Sequence, residues 1–337
     1  MKKILVTGGA GFIGSNFIRY MLNQYQEYFI VNLDKLTYAG NPDNLKGLDE
    51  YKNYRFVKGD IKDEKLVGEI GKDIDIVINF AAETHVDRSI GDPADFIMTD
   101  VYGTYVLLEM ARNCNIERFI QISTDEVYGE AIDEPCQETD ALMPKSPYAA
   151  SKAGADRLVF SYWTTYQLPV VITRCSNNYG PNQYPEKMIP LFVTNAMEDK
   201  PLPVYGDGRN TRDWIYVEDH CRALDAVLHS EGIEGEVFNI GSGIEKSILE
   251  IADIILDVLD KPKSLMKFVT DRPGHVMRHA VDTRKIKNRL QWGPASSFSD
   301  AMKKTIEWFV NNEWWWKKIK SGEYKEYYKK MYKEVED

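Results

Sequence analysis

An apolar run that stops dead in glycines is what most narrows the folds open to this chain. Residues 3–14 read KILVTGGAGFIG, followed by the helical spacing of Ile13–Leu22. Gly8, Gly11 and Gly14 satisfy a GxxGxxG spacing, and Gly9, Gly11 and Gly14 a GxGxxG spacing. In either register the glycines permit a tight turn, let the backbone approach a pyrophosphate, and allow close helix–strand packing with the phosphates at a helix N-terminus. A glycine-rich turn without a ligand would satisfy the same letters, so the context decides. The next apolar run, Phe29–Leu33, ends in Asp34, twenty residues after Gly14. A carboxylate there accepts from both ribose hydroxyls of NAD and repels the 2′-phosphate of NADP. NAD is the expected cofactor.

The first half of the chain continues in that rhythm. Arg55–Val57, Ile74–Asn79, Phe119–Ser123 and Val170–Thr173 read as short strands, with periodic segments such as Val101–Asn113 between them. Several strands are apolar on both faces, as parallel strands covered by helices must be. The expected fold class is therefore α/β, a doubly wound parallel sheet (Rossmann-like) with a smaller C-terminal substrate-binding α/β lobe. Beyond Asn177 the pattern loosens, and Val237–Ile240 (VFNI) suggests a return to the sheet. The expected division is 1–178 with 214–241 for the cofactor, and 179–213 with 242–337 for the substrate. Asp60 then falls at the adenine end of the cofactor, and Phe80–Ala82 beneath it.

Composition excludes some partners. The 337 residues carry a formal net charge of -10, which argues against nucleic acid and against an anionic membrane surface, though not against a small anionic ligand. Cys114, Cys136, Cys175 and Cys221 are widely spaced with no CxxC, as expected of reduced thiols in a cytoplasmic protein. The start, MKKILVTGG, has too short an apolar run for a signal peptide, and no stretch approaches a membrane span, so a soluble chain is expected. The aromatic and basic C-terminal stretch from NEWWWKKIK onward is expected to be an amphipathic closing helix whose Trp314–Trp316 cluster packs on the body.

Two further stretches carry chemistry. Tyr148 and Lys152 stand four apart in SPYAASKAGADRL, which on a helix places both side chains on one face within roughly 6 Å. A lysine near a phenol favours phenolate, making Tyr148 a credible base. Tyr54 and Lys58 share the spacing but lie on a strand pattern that separates them by about 13 Å. Pro147, ahead of strong helix formers, marks the first pair as helical. Residues 123–129 read STDEVYG and set Asp125 beside Glu126 where a buried strand should end. Isolated carboxylates are costly to bury, so the pair is either solvated or in a cleft doing acid–base work. Neighbours on a continuing strand point oppositely, so a turn or helical start is expected after Thr124.

Together, TGGAGFIG, Asp34 and Tyr148-x-x-x-Lys152 resemble the extended short-chain dehydrogenase/reductase superfamily. STDEVYG, SPYAASKA, CSNNYGPNQYPEKMIP, RDWIYVEDH and DRPGH narrow the resemblance to its nucleotide-sugar branch and the dTDP-glucose 4,6-dehydratases. It runs from about residue 3 to DRPGH and beyond. The resemblance implies a redox-neutral, NAD-dependent hydro-lyase acting on dTDP-glucose, with Tyr148 and Lys152 at C4, Glu126 as the C5 base and Asp125 as the acid that releases water from C6. Thr124 would hydrogen-bond the sugar near O4. Burial next to ionised Glu126 would keep Asp125 protonated.

The resemblance also implies binding sets. For the cofactor these are Gly8, Gly11, Phe12, Ile13, Gly14, Asp34, Lys35, Leu36, Thr37, Asp60, Ile61, Phe80, Ala81, Ala82, Thr84, Thr99, Tyr148 and Lys152, with Asn178 near the nicotinamide. For the nucleotide sugar they are Thr84, Thr124, Asn177, Lys187, Met188, Pro203, Val204, Tyr205, Arg212, Ser247, Asp271, Arg272, Pro273, Gly274 and His275. Arg212 is the natural diphosphate partner, since its planar fork binds bidentately. Val276 stands where the family often has an acid, and Ser247 where it commonly has an asparagine. His275 and His279 have the spacing of a metal pair, but follow Pro273–Gly274 with no third ligand evident, so no metal is expected. A homodimer through the helices around Val101–Asn113 and Tyr148–Tyr166 is expected. The alternatives are a nucleotide-sugar 4-epimerase, a 4,6-dehydratase using another nucleotide, and a non-catalytic NAD-binding regulator. The intact Tyr148, Lys152, Asp125 and Glu126 argue against the last, and the acid pair against the first.

Overall fold

The computed structural model describes residues 1–271, 274–322 and 328. Strands β1 (Lys2–Thr7), β2 (Tyr28–Asp34), β3 (Tyr54–Lys58), β4 (Ile76–Asn79), β5 (Arg118–Thr124) and β6 (Val170–Cys175) alternate with helices. After β7 (Asn177–Tyr179), β8 (Leu202–Tyr205) and β9 (Thr211–Tyr216), the chain comes back to the first sheet as β10 (Val237–Ile240). The sheet order is β10-β6-β5-β4-β1-β2-β3, and all pairs in it are parallel. Strand order reverses between β1 and β4, and such switch points open a crevice at the strands' C-terminal ends.

Side chains alternate between two cores. Ile4 and Val6 of β1 join Phe17, Ile18, Ile78 and Ile120 on one face, while Leu5 joins Val31, Val77, Leu107 and Phe119 on the other. Helices cover both faces, which is why the strands read as near-continuous apolar runs. Two smaller pairings complete the described residues. Strand β9 runs parallel to β7 and β13 (Arg278–His279) and antiparallel to β11 (Glu245–Ser247), while β12 (Met266–Val269) lies parallel to β8. Strand β9 itself straddles the boundary expected at residue 213.

Two elements differ from the sequence expectation. The helical pattern around Val101–Asn113 is not one α-helix. Ile97–Gly103 is π-helical and the α-helix spans Thr104–Asn113. π turns are frequent at functional sites, and this one buries Asp100. In the C-terminal aromatic cluster, Trp315 and Trp316 are buried in the helix Glu313–Lys320, with Trp315 Nε1 donating to Asn44 Oδ1 at 2.9 Å, but Trp314 is half exposed. Successive helical residues cannot all face inward. The stretch beyond Gly322 lies outside the described residues, Tyr328 excepted.

Candidate active site

An open cavity of about 1530 Å³, solvent-filled mouth included, lies over the C-terminal ends of the strands around the switch point. Gly8 turns the chain out of β1 at φ 70, and a Cβ there would come within 2.6 Å of Ala81 N. A Cβ on Gly14 would come within 2.5 Å of Gly8 O, so this glycine lets the helix Phe12–Gln24 press onto the turn. Gly9 instead packs on Asn32 and Ile18, away from the cavity wall. Gly11 caps the helix with no side-chain hydrogen bond among the described residues. Its leading N–H groups therefore face the cavity wall without a side-chain cap, where the helix dipole favours negative charge.

Asp34 closes β2 at 8 % exposure. Its carboxylate accepts from Ala10 N at 2.9 Å and Leu36 N at 2.7 Å. Burial pushes its pKa up, and those two N–H groups pull against it. Lys35 and Thr37 line the cavity with it, while Leu36, in the left-handed conformation at φ 60, turns aside. Across the same end, Asp60 meets Lys35 Nζ at 2.9 Å. Phe12, Ile13, Ile61, Phe80, Ala81, Ala82, Thr84, Thr99 and Asn178 also form the wall.

The reactive end is built by β5 and two helical starts. Thr124 ends β5 and caps the 3₁₀ turn Asp125–Tyr128, its Oγ1 accepting from Glu126 N at 3.2 Å and donating to Asp125 Oδ1 at 3.2 Å. This turn separates the two neighbouring acids. Asp125 is 4 % exposed, and its Oδ2 has no hydrogen-bond partner among the described residues. Burial first, then the Glu126 charge, raise its pKa to about 8, with Arg212 in opposition. Glu126 is half-buried and borders both the cavity and a small recess behind it.

Ser146 caps the helix Pro147–Tyr166 by accepting from Ala149 N at 3.1 Å, and Pro147 occupies its first position. Tyr148 and Lys152 thus reach the cavity from one helix face. Burial and then the Glu126 charge push the Tyr148 hydroxyl well above its usual range, while a hydrogen bond with Thr124 pulls the other way. Lys152 Nζ donates to Ile122 O at 2.7 Å. Burial lowers its pKa, and the Asp100 carboxylate opposes that. Asp100 accepts from Ser151 Oγ at 2.6 Å and Glu83 N at 2.9 Å. Burial raises its pKa to about 6. The residues singled out from the sequence omit Asp100. Yet with Gly103, Thr104, Leu107 and Ala111, all buried, it sits at helical spacing on the inward stripe, and an acid on such a stripe is a legible signal. Glu83, Ser123, Cys175, Ser176, Gln183 and Tyr184 also line the wall without having been singled out.

The structure divides the expected sugar-nucleotide residues. Thr84, Thr124, Asn177 and Lys187 border the main cavity, with Lys187 Nζ donating to Thr84 O at 2.5 Å. Arg212 and Gly274 border the recess behind Glu126. Arg212 is 5 % exposed and donates to Thr211 O at 2.7 Å and Val276 O at 3.0 Å. Met188, Pro203, Val204, Tyr205, Ser247, Asp271 and His275 border neither space. Ser247 caps the helix Ile248–Val258 in a capping box with Glu250, and His275 pairs with Asp271 at 2.6 Å. Arg272 and Pro273 lie outside the described residues. Among the described residues no three His, Cys, Asp or Glu side chains group to hold a metal ion.

A glycine turn at a β1/β4 switch point, an acid closing β2 and a Tyr–Lys pair on the helix beside β5 define an extended short-chain dehydrogenase/reductase. The chain belongs to the GDP-mannose 4,6 dehydratase family, whose family model matches residues 5–305. It is 48% identical to a dTDP-glucose 4,6-dehydratase of Streptomyces niveus, over 95% of this chain and 96% of the relative. It is 52% identical to the low-salt glycan biosynthesis protein Agl12 of Haloferax volcanii, over 92% of this chain and 99% of that one. Among solved structures it resembles DesIV, a dTDP-glucose 4,6-dehydratase from Streptomyces venezuelae with NAD and TYD bound, at TM-score 0.92 and 45% identity over 94% of this chain and 99% of that one.

Proposed function

We propose that this protein converts dTDP-glucose to dTDP-4-dehydro-6-deoxy-glucose and water, as an NAD-dependent hydro-lyase of deoxysugar biosynthesis. The carrying observation is the unlike pair on one turn: Asp125 buried and protonated up to about pH 8, Glu126 half-buried beside it. A 4-epimerase removes no C5 proton and releases no C6 hydroxyl, and a regulator without catalysis has no use for either acid.

The cavity suits NAD. The close approaches at Gly8 and Gly14 and the helix start at Gly11 would hold the pyrophosphate, Asp34 the adenosine ribose, Asp60 and Ile61 the adenine, and Tyr148 with Lys152 the second ribose. Asn178 would lie at the nicotinamide. Bound there, NAD+ supplies a hydride acceptor for C4 that gives the hydride back at C6. The side chains move the protons. Tyr148 accepts the 4-hydroxyl proton, helped by Thr124. The C4 ketone acidifies C5–H, which Glu126 removes, while neutral Asp125 protonates the departing C6 hydroxyl, and Glu126 gives a proton back to C5 when C6 is reduced. Lys152, its charge balanced by Asp100, holds ribose and phenol in register.

Thymidine as the base is supported by the relatives named as dTDP-glucose 4,6-dehydratases. We assign the cofactor to residues 1–178 with 214–241, and the nucleotide sugar to 179–213 with 242–337, with Arg212 on the diphosphate. Exposed Ile97, Met98, Tyr105 and Tyr166 support a homodimer through those helices, and four free thiols support the cytoplasm. The deciding experiment is mass spectrometry of dTDP-glucose, UDP-glucose and GDP-mannose after incubation with the protein. Loss of one water from dTDP-glucose alone is expected. An isomer of unchanged mass would establish an epimerase, and preferential dehydration of another nucleotide sugar would overturn the base assignment.

A further inference from the structure

His220 lies in the helix Val217–His229 with 0% exposure, and it does not border the cavity. Its Nδ1 stands 2.9 Å from Asn178 Oδ1, and its Nε2 has no hydrogen-bond partner among the described residues. The bonding around Asn178 leaves one consistent assignment. Asn178 Nδ2 lies 3.0 Å from the carbonyl of Ser176, which only accepts, so the amide oxygen faces His220. His220 must then carry its hydrogen on Nδ1 and donate. The Asn178 main chain is held as well, its carbonyl accepting from Gln183 Nε2 at 2.8 Å.

Asn178 does border the cavity, and its amide also bonds the Cys175 thiol in the same wall. A half-turn of the amide would set its oxygen against Ser176 O and lose the imidazole donor, a double loss in a buried site. A serine or water in place of the ring could rotate with the amide and fix nothing. The rigid ring cannot, and burial pushes its pKa down to about 3, so it stays neutral above that pH.

We propose that His220 is a positioning residue, whose Nδ1–H fixes the Asn178 amide with its N–H edge on Ser176 O and the Cys175 thiol, in the cavity wall at the nicotinamide end of the cofactor. This rests on the reading of the cavity as an NAD site. A core histidine that only fills space would share the burial but not the consequences.

The test uses the full chain, with NAD+ affinity and kcat as separate readouts and thermal melting as the control for folding. His220→Phe should weaken NAD+ binding or lower kcat roughly tenfold, since small misplacements at a reacting centre are costly. His220→Asn, whose Nδ2 falls near the position of Nδ1, should recover to within about threefold, while His220→Gln, which reaches instead toward Nε2, should not. Asn178→Ala should lose a comparable factor, and adding His220→Phe to it should cost nothing more, because the histidine acts through the amide. NMR of the imidazole nitrogens should find a neutral Nδ1–H ring that does not titrate in the folded range. Undiminished His220→Phe, equal damage in His220→Asn, additive losses in the Asn178→Ala background, or an Nε2–H ring would each overturn the proposal. Should His220→Phe fail to fold, the comparison of His220→Asn with His220→Gln decides. If the wild type dehydrates no nucleotide sugar, the functional reading fails, while the NAD+ affinities and the ring tautomer still decide this one.

Discussion

Asp125 and Glu126 share a peptide bond, yet the turn after Thr124 buries Asp125 and leaves Glu126 half-buried at the cavity. Their removal should therefore interrupt the reaction at a different point from removal of Tyr148. Asp125→Asn and Glu126→Gln should still oxidise C4, so NADH absorbance appears on mixing with dTDP-glucose while water loss slows by about 10²–10⁴. Tyr148→Phe should suppress the NADH signal itself. Equal loss of that signal in all three folded variants would show the roles wrongly divided. Asp125 also ties activity and stability to pH. Its folded pKa, about 8, lies above the roughly 3.9 of an unfolded aspartate, so its neutral form contributes stability that is complete at low pH and lost as pH rises through about 8. Turnover should fall above about pH 8 as the acid is spent. The melting temperature of the wild type, relative to always-neutral Asp125→Asn, should fall between about pH 4 and pH 8 and then level off. A constant difference across that range would mean that Asp125 is ionised throughout.

At the scale of elements, helix starts do most of the placing. Thr124 turns the chain so that two acids leave a strand in different directions, Ser146 and Pro147 start the helix that carries Tyr148 and Lys152, and uncapped Gly11 leaves its N–H groups open. Ser247 shows the opposite use. Its hydroxyl accepts from Glu250 N at 3.2 Å while Glu250 Oε2 accepts from Ser247 N at 2.8 Å. Ser247→Ala should cost about 1 kcal/mol of stability, as cap removals do, and lower the melting temperature with KM for the nucleotide sugar unchanged. A raised KM at unchanged melting temperature would instead place Ser247 on the substrate. The capping box was legible, since Ser247 and Glu250 stand three apart ahead of the apolar run Ile251–Leu256. The π turn at Ile97–Gly103 was not, because period alone does not separate a π turn from the α-helix it interrupts.

The whole molecule holds the reaction turn against two layers. Arg174, buried in β6, grips Asp156 at 2.8 and 3.0 Å and donates to Tyr128 Oη at 2.7 Å, and Tyr128 in turn donates to Asn239 Oδ1 in β10 at 2.8 Å. The Asp125–Tyr128 turn is thereby anchored to the strand that returns from the C-terminal half. Such a frame should keep the whole cycle on one protein. Deuterium at C4 of dTDP-glucose should reappear at C6 of the same sugar, with no net NADH, and turnover in heavy water should label C5 through Glu126. Mixed labelled and unlabelled substrate should show no crossover of the C6 label. Scrambling between molecules would mean that reduced cofactor leaves mid-cycle. Return of the label to C4 with inverted configuration would mean epimerisation.

By itself the sequence determined the local features: a strand meeting glycines, an acid closing the second strand, a tyrosine and lysine one helical turn apart, and two acids where a strand must end. Each depends on neighbours within a few residues, through backbone freedom, helical period or capping, and so can be read along the chain. The resemblance named Asp125 as the neutral acid, but only tertiary structure supplies the cause, since desolvation and the Glu126 charge act through space. Tertiary structure alone placed Asp100 under Lys152, kept Arg212 at a recess behind Glu126, and brought His220 to Asn178, 42 positions apart in the chain. Contacts between residues so far apart in the chain form only when separate strands and helices pack, and no local pattern records them.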